Sequence, residues 1–283
     1  MTEGFIAGIL FGTAAIFIRL LNGLNVSSIA FWRLIIASAI LIAITPVLKQ
    51  SFNLGIVKAN IKCISLLGVL IGLHFILFVS AVMDTTILNA TVLVNTAPIF
   101  SVLISTLLFK ITPSRTAIIG LTTSFLGVSL IAYGDASYTL TINLRGDLEA
   151  VLAAVAEGFY LNYGRQMRER MPLLLTMIPI YLVSALAVGF SCIITRIPLT
   201  FPGQLYLILP LIGLGILPTA IGHSLYFSSL SKLKSFETAT LALLEPIGAT
   251  ILGIILFSEM PDAIFVLGSV LILGGVVSIV MRE

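Results

Sequence analysis

Residues 98–127 read PIFSVLISTLLFKITPSRTAIIGLTTSFLG, and residues 246–275 read PIGATILGIILFSEMPDAIFVLGSVLILGG. Laid side by side without a gap, Pro98, Phe109, Pro113, Gly120 and Gly127 meet Pro246, Phe257, Pro261, Gly268 and Gly275 at a constant offset of 148. Towards the N-terminus the correspondence continues with a small drift. His74, Phe78 and Ser80 recur as His223, Phe227 and Ser229 at an offset of 149, and Arg19 recurs as Arg165 at 146. The chain has only 2 histidines, and both fall in register. The chain therefore reads as a duplication.

Both copies are strongly apolar. A transmembrane helix needs about 20 mainly apolar residues, and ten such runs follow one another: 4–21, 28–48, 62–82, 85–109, 115–134, 146–164, 174–195, 204–230, 235–257 and 262–281. Short links carry the breakers and charges between them, among them Asn22-Gly23, Lys49-Gln50-Ser51, Thr112-Pro113-Ser114, Arg168-Glu169-Arg170 and Glu259-Met260-Pro261. Such links suit neighbouring antiparallel helices. Long apolar runs mean helices, because backbone groups in lipid must be bonded within the segment. A membrane barrel has alternating segments of about ten residues instead.

With the N-terminus inside, 11 of the 15 Lys and Arg residues fall on the cytoplasmic side and 3 (Arg19, Arg145, Arg196) on the outer side, with Arg33 inside the second run. The positive-inside rule then places both termini in the cytoplasm. Five spans per copy is an odd number, so the second copy must lie upside down. The expected fold is an all-α integral membrane protein of ten transmembrane helices in two inverted repeats. Residues 1–134 form the first five-helix repeat, 135–145 an external linker and 146–283 the second.

Composition excludes other classes. Of 283 residues, 59% are hydrophobic and 10% charged, with a mean hydropathy of +1.17. Soluble domains carry about 25% charged residues. A net charge of +3 does not suggest nucleic acid as a partner. Cys63 and Cys192 form no CxxC and lie far from His, so neither a disulfide framework nor a metal site is expected. The first apolar run lacks a basic leader and a cleavage site, and reads as a retained span. No Walker loop, HExxH or GxSxG occurs. No cofactor and no catalysis are expected, and energy must come from a gradient.

Inverted repeats build secondary transporters, with the cargo site at the repeat interface near the bilayer midplane. Ionisable groups inside a membrane cost about 2.5–3.5 kcal/mol on insertion scales, so each is a site candidate. Glu157 is about 11 residues into the sixth run. It can exchange a proton for cargo or pair with a cargo amine, or it can be a carboxyl bonded permanently to another helix. His74 and His223 sit at equivalent positions. Imidazole titrates near physiological pH, so either can donate to a cargo carboxylate or join a proton relay; packing is the plain alternative. Glu245 precedes Pro246, and its counterpart is Ala97-Pro98 with Asn95 nearby. Proline frees a carbonyl one turn earlier, so Pro98, Glu245 and Pro246 mark bent helices that expose backbone to a ligand, with Glu245 either in the site or bracing the bend. Arg33, with Arg19, can draw an anionic group to the outer vestibule or snorkel to headgroups. Tyr160, Tyr226 and Asn95 are cavity-lining candidates, as are Asn89, Thr91 and Asn162, although amides also glue helices together. Trp32 and Tyr206 read as interfacial anchors.

Several local patterns resemble the EamA-type transporters of the drug/metabolite transporter superfamily: Phe11-Gly12 with Arg19, Phe31-Trp32-Arg33 with Ala37, Leu244-Glu245-Pro246, Phe257-Ser258-Glu259 with Pro261 and Gly268, and Gly274-Gly275-Val276. The resemblance covers nearly the whole chain. It implies that helices one to four and six to nine line a central cavity while five and ten are peripheral. It also implies cargo such as amino acids, other metabolites or toxic compounds, more often exported than taken up. Glu157 departs from the family, which usually has an aromatic residue there. The expectation is a secondary transporter of a small amphipathic metabolite across the plasma membrane, outward and with protons as a candidate coupling ion. A passive facilitator or uptake permease is the alternative on the same scaffold. A non-transporting sensor or assembly subunit is the alternative of another class; it requires a filled midplane with no cavity at Glu157 or His74. Gly120, Gly127, Gly268 and Gly275 serve either a homodimer or packing within a monomer.

Overall fold

The computed structural model describes residues 2–50, 52–136, 143–257 and 263–280. Most of the expected linker at 135–145, the turn at Glu259-Met260-Pro261 and the tail with Arg282 lie outside the described residues. The elements in chain order are α1 (Thr2–Phe11), α2 (Ala14–Leu20), α3 (Val26–Val47), α4 (Leu54–Ala59), α5 (Ile61–Asp84), α6 (Ile87–Val94), α7 (Ala97–Phe109) and α8 (Arg115–Ala136). Then come α9 (Leu144–Arg168), α10 (Leu173–Thr195), α11 (Leu205–Leu214), a π-helical segment (Gly215–His223), α12 (Ser224–Ser229), α13 (Ser235–Leu241), a 3-10 turn (Ala242–Leu244), α14 (Glu245–Phe257) and α15 (Ala263–Val280). No strand occurs among the described residues.

Among the described residues, seven stretches are long and apolar enough to cross a bilayer: Thr2–Leu20, Val26–Val47, Ile61–Asp84, Ile87–Phe109, Arg115–Tyr133, Leu173–Thr195 and Leu205–Ser229. The chain is a multi-pass membrane protein. The three other expected runs differ for visible reasons. α9 is 25 residues long but carries Arg145, Asp147, Glu149, Glu157, Arg165 and Arg168. Residues 235–257 are interrupted by the 3-10 turn. α15 spans 18 residues.

Local chemistry sets the ends. Asn25, Asn53, Thr86 and Asn143 cap α3, α4, α6 and α9, each accepting from a backbone N–H of the first turn. Besides the ninth, two more expected single spans are broken pairs. The first splits at Gly12-Thr13, where the Thr13 hydroxyl donates to the Leu10 carbonyl at 2.7 Å. The fourth splits at Asn95-Thr96, and Pro98 lies in the opening turn of α7. Pro246 likewise lies in the opening turn of α14. Both prolines were expected at bends; they begin new helices, where the missing N–H costs nothing.

Packing joins the two halves intimately. α5 lies against α9 and α10, α7 against α9, α3 against α10 and the π segment, and α1 against the π segment, α12 and α14. α8 pairs with α15. There Gly120 faces the Gly275 carbonyl and Gly275 faces the Gly120 carbonyl, while Gly127 and Gly268 do the same to each other. The glycine spacing is thus used within the chain, where absent side chains let two backbones touch.

Candidate functional site

The chemistry-bearing side chains meet in one cavity at the broken helices. α3 supplies Arg33, α5 His74, the end of α6 Asn95, α9 Glu157, the end of the π segment His223, and the start of α14 Glu245. Phe11, Phe75 and Phe78 complete much of the wall. The void measures about 400 Å³ with its mouth included. Its innermost part holds only a few waters, so larger cargo needs the helices to part.

Of the residues expected from sequence, Glu157, His74, His223, Asn95, Arg33 and Glu245 come together here. Tyr160 does not line the cavity; its hydroxyl donates to the Met177 sulfur at 3.7 Å and its ring packs on Phe227. Tyr226 is fully buried behind the wall, with its enclosed hydroxyl beside the Glu157 carboxyl. Asn162 is glue: its amide donates to Ser101 and Gly158, and its oxygen accepts from Ser235. Asn89 donates towards Thr85 and Asp147, and Thr91 bonds back to its own helix. Arg19 reaches the Thr85 carbonyl at 2.8 Å. Trp32 donates its indole N–H to the Thr200 carbonyl at 3.0 Å.

The two carboxyls are held differently. Asn95 Nδ2 donates to Glu245 Oε2 at 3.0 Å, tying the break after α6 to the start of α14. Glu157 Oε2 lies 3.7 Å from His74 Nδ1. That nitrogen is also 3.0 Å from the Ala153 carbonyl. A carbonyl only accepts, so Nδ1 carries a hydrogen and donates to Ala153. Its contact with Glu157 is therefore looser than a full bond, leaving the carboxyl free to take another partner. His74 and His223 face each other with ring centroids 5.9 Å apart, and His223 also meets Phe11 and Phe75.

Arg33 overturns the snorkelling alternative. It is 1% exposed and lies with Cζ 3.9 Å over the Phe75 ring. Its Nε donates to the Thr219 hydroxyl at 3.0 Å. Sequence reading passed over Thr219, Tyr181 and the aromatic wall. The signal was Pro218 inside an apolar helix. Its ring cannot coexist with an α-type bond to the Leu214 carbonyl; the Thr219 hydroxyl takes that carbonyl at 2.6 Å instead, and the helix widens into the π segment. Tyr181 donates to the Thr219 carbonyl at 2.8 Å. Thr219→Val keeps the shape and the backbone carbonyl that Tyr181 uses but removes the hydroxyl shared by Arg33 and Leu214, and is expected to destabilise the fold by about 1–3 kcal/mol, since those buried partners lose their bonds. Thermal unfolding of the purified variant checks this; an unchanged midpoint would show that the junction contributes nothing.

One family description, the EamA-like transporter family, matches residues 3–133 and again 144–281. The chain belongs to the EamA-like transporter family. Relatives agree. An "Uncharacterized transporter YdfC" of Bacillus subtilis is 32% identical over 272 residues, covering 90% of this chain and 82% of that one. An "Uncharacterized transporter" of Archaeoglobus fulgidus is 24% identical over 279 residues, covering 98% and 94%. A solved structure described as "Crystal structure of protein" superposes with a TM-score of 0.79 at 19% identity over 99% of this chain and 96% of that one, a likeness of fold alone. As an EamA-type member of the drug/metabolite transporter superfamily, the chain is a transporter that binds a small molecule within the membrane.

Proposed function

We propose that this EamA-type chain is a secondary active transporter that exports a small amphipathic metabolite, such as an amino acid, across the plasma membrane by alternating access coupled to protons. The observation that carries the reading is the cavity shared by both halves, with Arg33, His74 and Asn95 from the first and Glu157, His223 and Glu245 from the second. A cavity at Glu157 and His74 also counts against a sensor or assembly subunit. The reading takes ten spans in two inverted repeats, both termini cytoplasmic. Matching elements make matching contacts: α5 with α9 and α12 with α1, α7 with α9 and α14 with α1, Gly120 with Gly275 and Gly127 with Gly268. This reciprocity is what a two-fold axis relating the halves produces.

Coupling follows from competition. A proton and a cargo ammonium both seek the loosely held Glu157 carboxyl, so each displaces the other as the halves rock. Carboxylates beside imidazoles and a guanidinium suit an amphoteric cargo, and the phenylalanines suit its apolar part.

The test is counterflow into proteoliposomes loaded with amino acids or aromatic amines. At least one such solute should exchange well above protein-free vesicles and respond to an imposed pH gradient. Exchange without any pH response would favour the passive facilitator. Folded protein that moves no solute in the panel would end the transport reading for this class of cargo.

A further inference from the structure

We infer that the guanidinium of Arg33 is one wall of a built site for a small monovalent anion, either a free halide or the carboxylate of a cargo molecule. Arg33 is a permanent cation, yet no carboxylate of the described residues lies within 4.0 Å of it. The acidic groups of the cavity are placed elsewhere, Glu157 beside His74 and Glu245 bonded to Asn95. Phe75 covers one face of the guanidinium and Thr219 takes Nε, but Nη1 is enclosed with no acceptor.

Its neighbours deepen the imbalance. His223 stands edge-on to the same Phe75 ring, at 4.8 Å between centroids, and its Nδ1 is enclosed without a partner. The next residue, Ser224, has an enclosed hydroxyl whose neighbour is the Tyr181 hydroxyl. The nearby acceptors are already taken. The Thr219 hydroxyl accepts from Arg33 and donates to Leu214, and the Thr219 carbonyl accepts from Tyr181. Two donor-capable groups, Arg33 Nη1 and His223 Nδ1, and one full positive charge therefore meet at the Phe75 ring without anything to receive them. Buried polar atoms are rarely left so, and an unpaired buried charge is costly. A single negative charge with several lone pairs satisfies all of them. One fixed positive charge on an apolar aromatic floor suits a halide or a carboxylate better than a phosphate dianion.

Where the anion is the cargo's own carboxylate, the inference rests on the transport reading; as a binding site it does not, so binding is measured without flux. The full-length protein in detergent is titrated with chloride and, separately, acetate at constant ionic strength, with gluconate as the bulky reference. A saturable rise in unfolding midpoint of about 2–4 °C is expected for at least one of them. Arg33→Gln should abolish it, Arg33→Lys should weaken it, and Ser224→Ala should weaken binding up to about tenfold. Should Arg33→Gln fail to fold, equilibrium dialysis of wild type and Ser224→Ala against labelled chloride or acetate decides the matter. No saturable binding of either anion to wild type, or equal binding by wild type and the Arg33 variants, overturns the proposal. Stabilisation by chloride with transport lost in gluconate identifies a free anion. Binding of acetate with transport indifferent to chloride identifies a cargo carboxylate. Anion binding with no flux of any solute leaves the site standing and removes the transport reading.

Discussion

Glu157→Gln is expected to weaken flux driven by a pH gradient by about ten- to a hundredfold, the equivalent of losing a charge-assisted bond, while leaving exchange of labelled for unlabelled cargo measurable. The substitution preserves size and one acceptor oxygen but removes both the charge and the proton. Its neighbourhood makes this selective. Glu157 has a loose contact, 3.7 Å to a His74 nitrogen that already donates to Ala153, and the Tyr226 hydroxyl beside it, which can donate to an amide oxygen as to a carboxylate, so the amide disturbs no strong bond. Glu245→Gln is the internal control. Asn95 Nδ2 can donate to an amide oxygen as it does to Glu245 Oε2, so that variant should keep its structure and most of the pH response. Flux is measured in proteoliposomes with and without an imposed gradient for wild type and both variants. If Glu157→Gln responds to the gradient as wild type does, the coupling proton is carried elsewhere.

Gly12→Val is expected to destabilise the fold by about 3 kcal/mol or more, at the upper end of overpacking. A side chain at residue 12 would run into backbone of α14: the Ala249 nitrogen, the Gly248 carbonyl carbon and the Glu245 carbonyl oxygen. Backbone cannot swing aside as a flexible side chain can. Gly248 presses in return on the backbone of Ile9. The break between α1 and α2 is thus wedged against the start of α14, the turn that presents Glu245 to the cavity. A drop in unfolding midpoint of about 6–12 °C should accompany the variant. Gly274→Ala is the matched control, because nothing lies within 4 Å of its added carbon and alanine favours the helix. Equal midpoints for Gly12→Val and wild type would mean that the wedge does not exist.

Much of the site was legible because burying an ionisable group in lipid is costly, and such residues are conspicuous in an apolar chain. Glu157, His74, His223, Glu245 and Arg33 stood out on that ground, and all five line one cavity. Tyr160 and Tyr226 did not, because a tyrosine packs as readily as it binds, and only neighbours decide between the two. The π segment was nearly legible. Leu67-Gly68 and Leu70 recur as Leu214-Gly215 and Leu217 at an offset of 147, whereas His74 recurs at 149. Two extra residues therefore lie between Leu217 and His223. A π turn carries one residue more than an α turn, so a segment of 9 residues absorbs the surplus and returns His223 to face His74.

By itself the sequence determined the membrane class, the helical character and the short list of titratable groups. Those follow from composition and period, which are properties of residues taken one at a time or along one helix. The tertiary structure alone decided that Arg33 turns inward over Phe75, that the glycines of α8 and α15 meet each other, and that Asn95 is bonded to Glu245 rather than left free. The reason is physical: inside a bilayer every helix looks apolar to its own sequence, and which face meets protein rather than lipid is settled by close packing and by polar partners from distant helices.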